Sequence, residues 1–407
     1  MSNGAKSCAD KGSWTPVPAK VPKSTSLSLK KIDPDEAKSI SNAGKMSFHM
    51  TGCSGNYDDT KNTKDVAAAM IAQGGSSFLY HLGDITYVEP KVETDDDQRA
   101  MYNNQFLAPY TKYPKGIVAI AGNHDGKNGG SAKTSAIHNF LANFCADPKN
   151  WPAKWPQNKV DSRPVMIQPY PYWRLNTPLA YFIGLYANIS NGGILDDPSA
   201  HKDYRKGPQY QWLVAQLKKV KKKNETNSPK RAVLVTVHHP PYSGAANFNV
   251  RGDPQQGETP KEKRAPYLAV ALQQAFSDAG QRADALFSAH AHLFERITYT
   301  YADRTIMPCL IMGCGGHSLE NLFEKCDGSQ GRKKKVQFTA VAPGSFSFPD
   351  GEEAQVEAYE DEKKGASYGF LRVTIENRVL TCTFYSTSGA AGDTFSLDLD
   401  RRQYVKT

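Results

Sequence analysis

From Lys45 onward, apolar and polar positions alternate along this chain in two different rhythms. "MSFHMT" (46–51) is an apolar run of strand length, and "DVAAAMIAQ" (65–73) repeats its apolar positions at helical spacing. The exchange continues with "SSFLYHLGD" (76–84), a helix around "DDDQRAMYNNQFLAPY" (95–110) and "GIVAIAGNHD" (116–125). Farther on come "LAYFIGLYA" (179–187), the helix "QYQWLVAQLKKV" (209–220), "RAVLVTVHH" (231–239), the helix "APYLAVALQQAFSDAG" (265–280), "ADALFSAHAH" (283–292) and "TIMPCLIMGCGG" (305–316). This strand–helix–strand order predicts parallel pairing, with any chemistry at the C-terminal ends of the strands. "YGFLRVTIE" (368–376) and "VLTCTFYST" (379–387) alternate with period two and predict an antiparallel pair.

Two stretches stand apart from this rhythm. Residues 1–44 carry "TPVPAKVPKSTSLSLKK" with no sustained period and predict a loosely packed N-terminal arm ahead of a domain spanning 45–407. Residues 318–365 are polar, charged and punctuated by Gly and Pro, which predicts a long surface loop bordering a site. With 407 residues, 39% of them hydrophobic, the chain can bury a substantial core; two or three domains or one large α/β domain are compatible with that length.

A net charge of +9 could suggest a polyanionic partner, but part of the excess sits in two runs, Lys218–Lys223 and Arg332–Lys335. The first closes the helix carrying Trp212, Leu213 and Leu217 and complements its C-terminal dipole. Neither run is interleaved with aromatics, so both read as solvated surface and no nucleic acid is expected. Seven cysteines, an odd number at 8, 53, 145, 309, 314, 326 and 382, are too dispersed for a disulfide scaffold and form no paired CxxC zinc pattern. The longest apolar run, "VAAAMIA" (66–72), is far too short to cross a bilayer, and the first thirty residues lack the apolar stretch of a secretory signal. A soluble, cytoplasmic protein with no membrane partner is the expectation, although a chain trimmed of its signal would look the same. Oligomeric state is not legible.

Chemistry changes the picture at four strand ends. Asp84 in "HLGDITY", Asn123 and His124 in "AGNHD", His238 and His239 in "VHHPPY", and His290 with His292 in "SAHAH" are all metal-type ligands. Singly, each has a plain reading: an Asp beside Gly caps a turn, Asn-His before Asp-Gly makes one, and a lone His is a satisfied core residue. Together, in order at four strand ends, they point to a metal centre. His290 and His292, two apart on a strand running into a loop, can each face a different ion. Asp84 can bridge two ions, and mixed Asn, His and carboxylate ligation suits zinc, manganese or iron. Two such ions suit in-line displacement at phosphorus.

The run GCSG (52–55), GDITY (83–87), GNHD (122–125), VTVH (235–238) and AHAH (289–292) resembles the GDxG, GDxxY, GNH, VxxH, GHxH pattern of the calcineurin-like metallophosphoesterases, and within them the purple acid phosphatase branch. The resemblance implies an α/β/β/α sandwich of two mixed sheets flanked by helices, two divalent or trivalent ions, and a small phosphorylated substrate, either monoester or diester. It implies one ion on Asp84, Asn123, His238 and His290, and another sharing Asp84 and taking Tyr87, His292 and the first motif's residue. His124 would position the phosphate or protonate the leaving group beside Asn123; His239 reads as a neighbour of the substrate or as packing. Tyr87 reads equally as a phenolate ligand or a core or rim aromatic.

This chain departs from the pattern twice. Ala289 stands for Gly, which adds one methyl to a tight turn; Cys53 stands for the first Asp, which removes a hard oxygen ligand. A thiolate binds zinc or iron, so Cys53 can be a soft ligand; it offers one donor at about 2.3 Å where a carboxylate offers two at about 2.0–2.2 Å. The alternatives are compensation by Asp58 or Asp59, occupancy of the other position alone, or a phosphatase-like binding or scaffold protein with little turnover.

Overall fold

The computed structural model describes residues 21–87, 95–126, 136–145, 166–187, 204–243, 268–320, 334–336, 352–360 and 365–405. The chain opens with β1 (Ser26–Ser28), α1 (Leu29–Ile32), α2 (Pro34–Ala43), β2 (Lys45–Thr51), α3 (Lys61–Gln73), β3 (Leu79–His81), α4 (Asp95–Tyr102) and β4 (Ile117–Ala119). It continues through α5 (Ala136–Phe144), β5 (Trp173–Asn176), β6 (Ala180–Leu185), α6 (Pro208–Thr226), β7 (Ala232–Val237), α7 (Leu268–Ala279) and β8 (Ala285–Ser288). The remaining elements are β9 (Phe294–Thr300), β10 (Ile306–Met312), β11 (Lys334–Val336), β12 (Glu353–Glu360), β13 (Gly369–Glu376), β14 (Val379–Ser386), β15 (Ala391–Asp398) and β16 (Gln403–Tyr404).

These strands form two mixed sheets, ordered β1-β5-β6-β7-β8-β10-β9-β12-β11 and β16-β15-β14-β13-β2-β3-β4. One apolar layer lies between them, built from Phe48, Met50, Tyr80 and Leu371 on one side and Phe182, Leu234, Phe287 and Leu310 on the other. A second packs α6 and α7 (Leu213, Leu217, Leu272, Phe276) on Ile183, Val235 and Leu286 of the nine-stranded sheet. A third packs α3 and α5 (Val66, Met70, Phe140, Phe144) on Leu79, Ile117 and Phe370 of the seven-stranded sheet. The result is the expected α/β/β/α arrangement, and β6 and β7, buried at every residue, are apolar on both faces for that reason. Between the sheets, Phe182 meets Phe48 edge-on at 5.0 Å and Tyr80 in a stack at 5.4 Å, and the Thr236 hydroxyl donates to the Tyr80 oxygen at 2.9 Å.

Two expectations are corrected. The lead is not loose up to residue 44: β1 pairs with β5, and Leu27, Leu29 and Ile40 enter the inter-sheet core. The local chemistry is that of a capped helix. Asp33 accepts the Glu36 N–H at 2.9 Å, Pro34 opens α2, and Gly44 closes it at φ 62°. Its pairing partner β5 lies far along the chain, which a local period does not reveal. Residues 1–20 lie outside the described set. The expected loop 318–365 also contains β12, which pairs antiparallel with β9; residues 321–333, 337–351 and 361–364 are outside the described set. The C-terminal hairpin is as expected, β13 and β14 pairing from Gly369↔Ser386 to Glu376↔Val379. Among the described residues no helix is long and apolar enough to cross a membrane.

β2, β3 and β4 run parallel in one sheet, as do β6, β7, β8 and β10 in the other, apart from the antiparallel strands flanking them. Their C-terminal ends share one pole of the sandwich. At the strand starts, two arginines tie the sheets together: Arg378 donates to the Lys230 carbonyl at 2.8 Å, and Arg402 to Asp284 at 2.7 Å. Burial raises the Asp284 pKa, with Arg402 pulling the other way. A raised carboxyl pKa means that ionised Asp284 costs stability as pH rises through its folded value, so removing Arg402 hurts most at neutral pH. Arg402→Met is expected to lose about 3 kcal/mol at neutral pH, with a smaller loss in acid, as read by urea unfolding at two pH values.

Candidate metal centre

The site is built from short loops after six strands. After β3, the chain turns at Gly83 (φ 93°), where a side chain would come within 2.7 Å of the His238 ring, and presents Asp84 at φ 52°. After β4, Gly122 passes so close that a Cβ would lie 2.1 Å from Asp84 Oδ1. These glycines allow the carboxylate to sit among backbone atoms. Asp125, which the sequence reading left out, braces the turn: it accepts N–H bonds from Gly122 (2.8 Å), Ile85 (3.1 Å) and Thr86 (3.3 Å). Burial and the charge of Asp84 lift Asp125 to a pKa of about 7.

Asp84 is the hub. Its Oδ1 accepts the backbone N–H of His124 at 2.8 Å, and its Oδ2 lies 3.1 Å from His238 Nε2 and 3.3 Å from the Tyr87 hydroxyl. His238 Nε2 is also 3.1 Å from Asn123 Oδ1, while its Nδ1 donates to the Leu82 carbonyl at 2.7 Å, which leaves Nε2 for a ligand. Burial alone would raise Asp84, but the imidazoles of His238, His124 and His290 hold it well below the usual carboxylate range; burial lowers His238, and Asp84 raises it on balance. A cation bound at His238 Nε2 would take the place of a proton there.

Cys53, at φ 52° and fully buried, closes the floor: its Sγ, an Asp84 oxygen and a His238 nitrogen lie within 4.8 Å of one another. The sulfur accepts the His290 N–H at 3.2 Å and is hydrogen-bonded to Tyr87. Burial, reinforced by Asp84, pushes the thiol well above its ordinary pKa, so without a cation Cys53 is protonated. Asp58 and Asp59 do not compensate: both are exposed, and Asp59 caps the Lys61 N–H at 2.8 Å.

His290 (φ 64°) and His292 diverge, as a spacing of two predicts. The His290 ring packs 5.2 Å from His238 and 4.3 Å from His239, whereas His292 Nε2 lies 3.1 Å from the Tyr87 hydroxyl. Burial lowers both imidazoles, His292 to about 3. His239 is buried against His290, bonded to the Ala187 backbone and neutral, its Nδ1 unpartnered. Tyr87 is a buried aromatic whose hydroxyl meets Asp84, Cys53 and His292, so the rim and ligand readings converge on one position. Ala289 is tolerated because it faces Gly52: a Cβ at residue 52 would lie 2.5 Å from that of Ala289.

The donor set fits a metal cation, with one donor each from Cys53, Asp84 and His238 on the floor. Tetrahedral bonds of about 2.1 Å put neighbouring donors roughly 3.4 Å apart; the donors lie 3.1 Å apart around His238 Nε2 and 3.1 and 3.3 Å apart around Tyr87, so small movements would seat an ion. Asp84 Oδ2 is common to both groups. The floor of Cys53, Asp84 and His238 is buried, while His124, His290, His292 and His317 are partly exposed above it. His317 is a second residue that the sequence reading missed; "GGHS" after β10 was the only signal.

Among solved structures, the chain is similar to GAP50, the anchor in the inner membrane complex of Plasmodium, with 16% identity over 87% of this chain and 89% of that one and a TM-score of 0.52. It also aligns with a conserved uncharacterized protein from Streptococcus pneumoniae TIGR4 described as a predicted phosphoesterase, at 9% identity, over 86% and 98% of the two chains, with a TM-score of 0.31. No curated protein matches it. The model of the calcineurin-like phosphoesterase family matches residues 48–294, which contain all five motifs and both halves of the donor set, and the chain belongs to that family.

Proposed function

We propose that this protein hydrolyses a phosphomonoester or phosphodiester with two metal ions, zinc, manganese or iron, held at the shared Asp84. The observation that carries this reading is the meeting of Asp84, Asn123 and His238 donors at 3.1 Å on a buried floor beneath partly exposed histidines. Asp84, Asn123, His238 and His290 would hold one ion; Asp84, Tyr87, His292 and Cys53 the other. Bound there, such ions supply charge neutralisation for a phosphate and acidify the attacking water. His124, its backbone anchored on Asp84 and its ring partly exposed, would donate a proton to the leaving oxygen. Asn123 and the tilted His239–His290 pair would shape the phosphate side of the cleft. Phenolate ligation by Tyr87 would put the chain in the purple acid phosphatase branch.

A second reading, a fold kept for binding or scaffolding, is favoured by one feature. Protonated Cys53 already has hydrogen-bond partners in His290 and Tyr87, so its corner of the site is satisfied without an ion. The structural neighbour described as an anchor belongs beside this reading.

Elemental analysis with an aryl phosphate assay decides between them: the phosphoesterase reading expects bound metal and chelator-sensitive hydrolysis, and metal-free protein without turnover would overturn it. Asp84→Asn is expected to lower hydrolysis by at least about 10³-fold, since it removes the carboxylate charge that both ions would share. Cys53→Asp separates the roles of the thiol. A loss of metal and rate marks the thiolate as a working ligand; a large gain marks the natural site as impaired.

A further inference from the structure

The segment Gly315–Glu320, after β10, matches none of the five motifs, yet it touches Cys53, Tyr87 and His292 of the second ion position. It is zipped along the first-motif loop: Gly315 N–H donates to the Gly52 carbonyl and His317 N–H to the Cys53 carbonyl, each at 3.0 Å. The His317 Nδ1–H donates to the Gly55 carbonyl at 2.9 Å, and Asn56 Nδ2 donates to the His317 carbonyl at 3.1 Å. The approach is so close that a Cβ on Gly315 would lie 2.3 Å from the Gly52 oxygen, and one on Gly316 (φ 146°) 2.3 Å from Thr63 Oγ1. This accounts for the paired glycines.

From that fixed backbone, three side chains reach the site. The His317 ring lies flat on Tyr87, with centroids 3.5 Å apart and planes within 7°. His124 lies 4.1 Å from the same ring, and two rings that close must occupy opposite faces, so Tyr87 is clamped between them. Ser318 Oγ lies 2.6 Å from His292 Nδ1; Glu320 Oε2 accepts the His292 N–H at 3.3 Å, and Glu320 N–H donates to the His292 carbonyl at 2.9 Å. When Ser318 accepts the Nδ1 proton, the lone pair of His292 is on Nε2, the atom that meets the Tyr87 hydroxyl.

We infer that Gly315–Glu320 is the positioning element of the second ion position: His317 sets the Tyr87 oxygen, and Ser318 sets the tautomer and heading of His292. The need for it follows from Cys53. With a single sulfur donor where a carboxylate would offer two oxygens, this position leans on Tyr87 and His292, and both are aimed by one loop. In the other group, His238 is aimed by the Leu82 carbonyl and meets Asn123 beside the turn of Asp84. The inference rests on the phosphoesterase reading in requiring cations at both positions.

The test uses the full chain, stripped of metal and titrated with Co(II) alone, followed by calorimetry and visible absorption, with Fe(III) loading as a parallel arm. Two binding steps are expected for the wild type. Ser318→Ala should weaken the second step by about 10–100-fold and leave the first unchanged, with Ser318→Thr restoring it. His317→Ala should shift the tyrosinate–Fe(III) charge-transfer band, and His317→Phe, which keeps the stacked ring, should return most of the shift. Unchanged second steps in both alanine variants, or equal weakening of both steps, would overturn the inference and leave the loop as a strand-end brace. If Ser318→Ala does not fold, the His317 pair decides. A wild type that binds one equivalent overturns the inference while the first ion survives; one that binds none overturns the phosphoesterase reading itself.

Discussion

A carboxylate that is 1% exposed cannot stay ionised without compensating charge, and the pole of this sandwich is organised around that constraint at Asp84. His238 supplies the charge, the His124 N–H supplies a hydrogen bond, and Gly83 and Gly122 supply the room. The backbone is strained to bring them together. Cys53, Asp84 and His290 all adopt φ values between 52° and 64°, a region that side chains disfavour by roughly 1–3 kcal/mol each. Three such residues from loops of both sheets, all within one cluster, are hard to explain by packing, since an apolar strand end needs no left-handed turn. The core of stacked aromatics beneath them offsets that cost.

The α/β rhythm and the strand-end ligands were legible because each signal is local. A buried strand announces itself in six residues, and "GNHD" or "SAHAH" carries its chemistry in four or five. What was not legible depends on partners far along the chain. His317 looks like a loop residue until its ring nitrogen is seen bonded to Gly55, 262 positions away. Asp125 looks like the end of a turn until its oxygens are found under Ile85 and Thr86. β1, α1 and α2 carry a weak period because few of their residues are buried, Leu27, Leu29, Ala37 and Ile40.

The two departures from the family pattern are unlike each other in physical terms. Ala289 is a matter of volume, solved by a glycine opposite. Cys53 is a matter of electronic character. Its sulfur sits where a hard oxygen is expected and is kept protonated by burial, so a cation would have to displace that proton to use it as a ligand.

The donor set is divided between layers: Cys53, Asp84, Tyr87 and Asn123 follow strands of the seven-stranded sheet, and His238, His290 and His292 follow strands of the nine-stranded one. The gap across the centre is therefore the spacing of the sandwich itself, set by Phe48, Tyr80 and Phe182 and by the Thr236–Tyr80 bond that crosses between the layers. The aromatic interior thus acts as a spacer block for inorganic chemistry, so that a methylene lost in the hydrophobic middle would be felt as an altered bite at the pole.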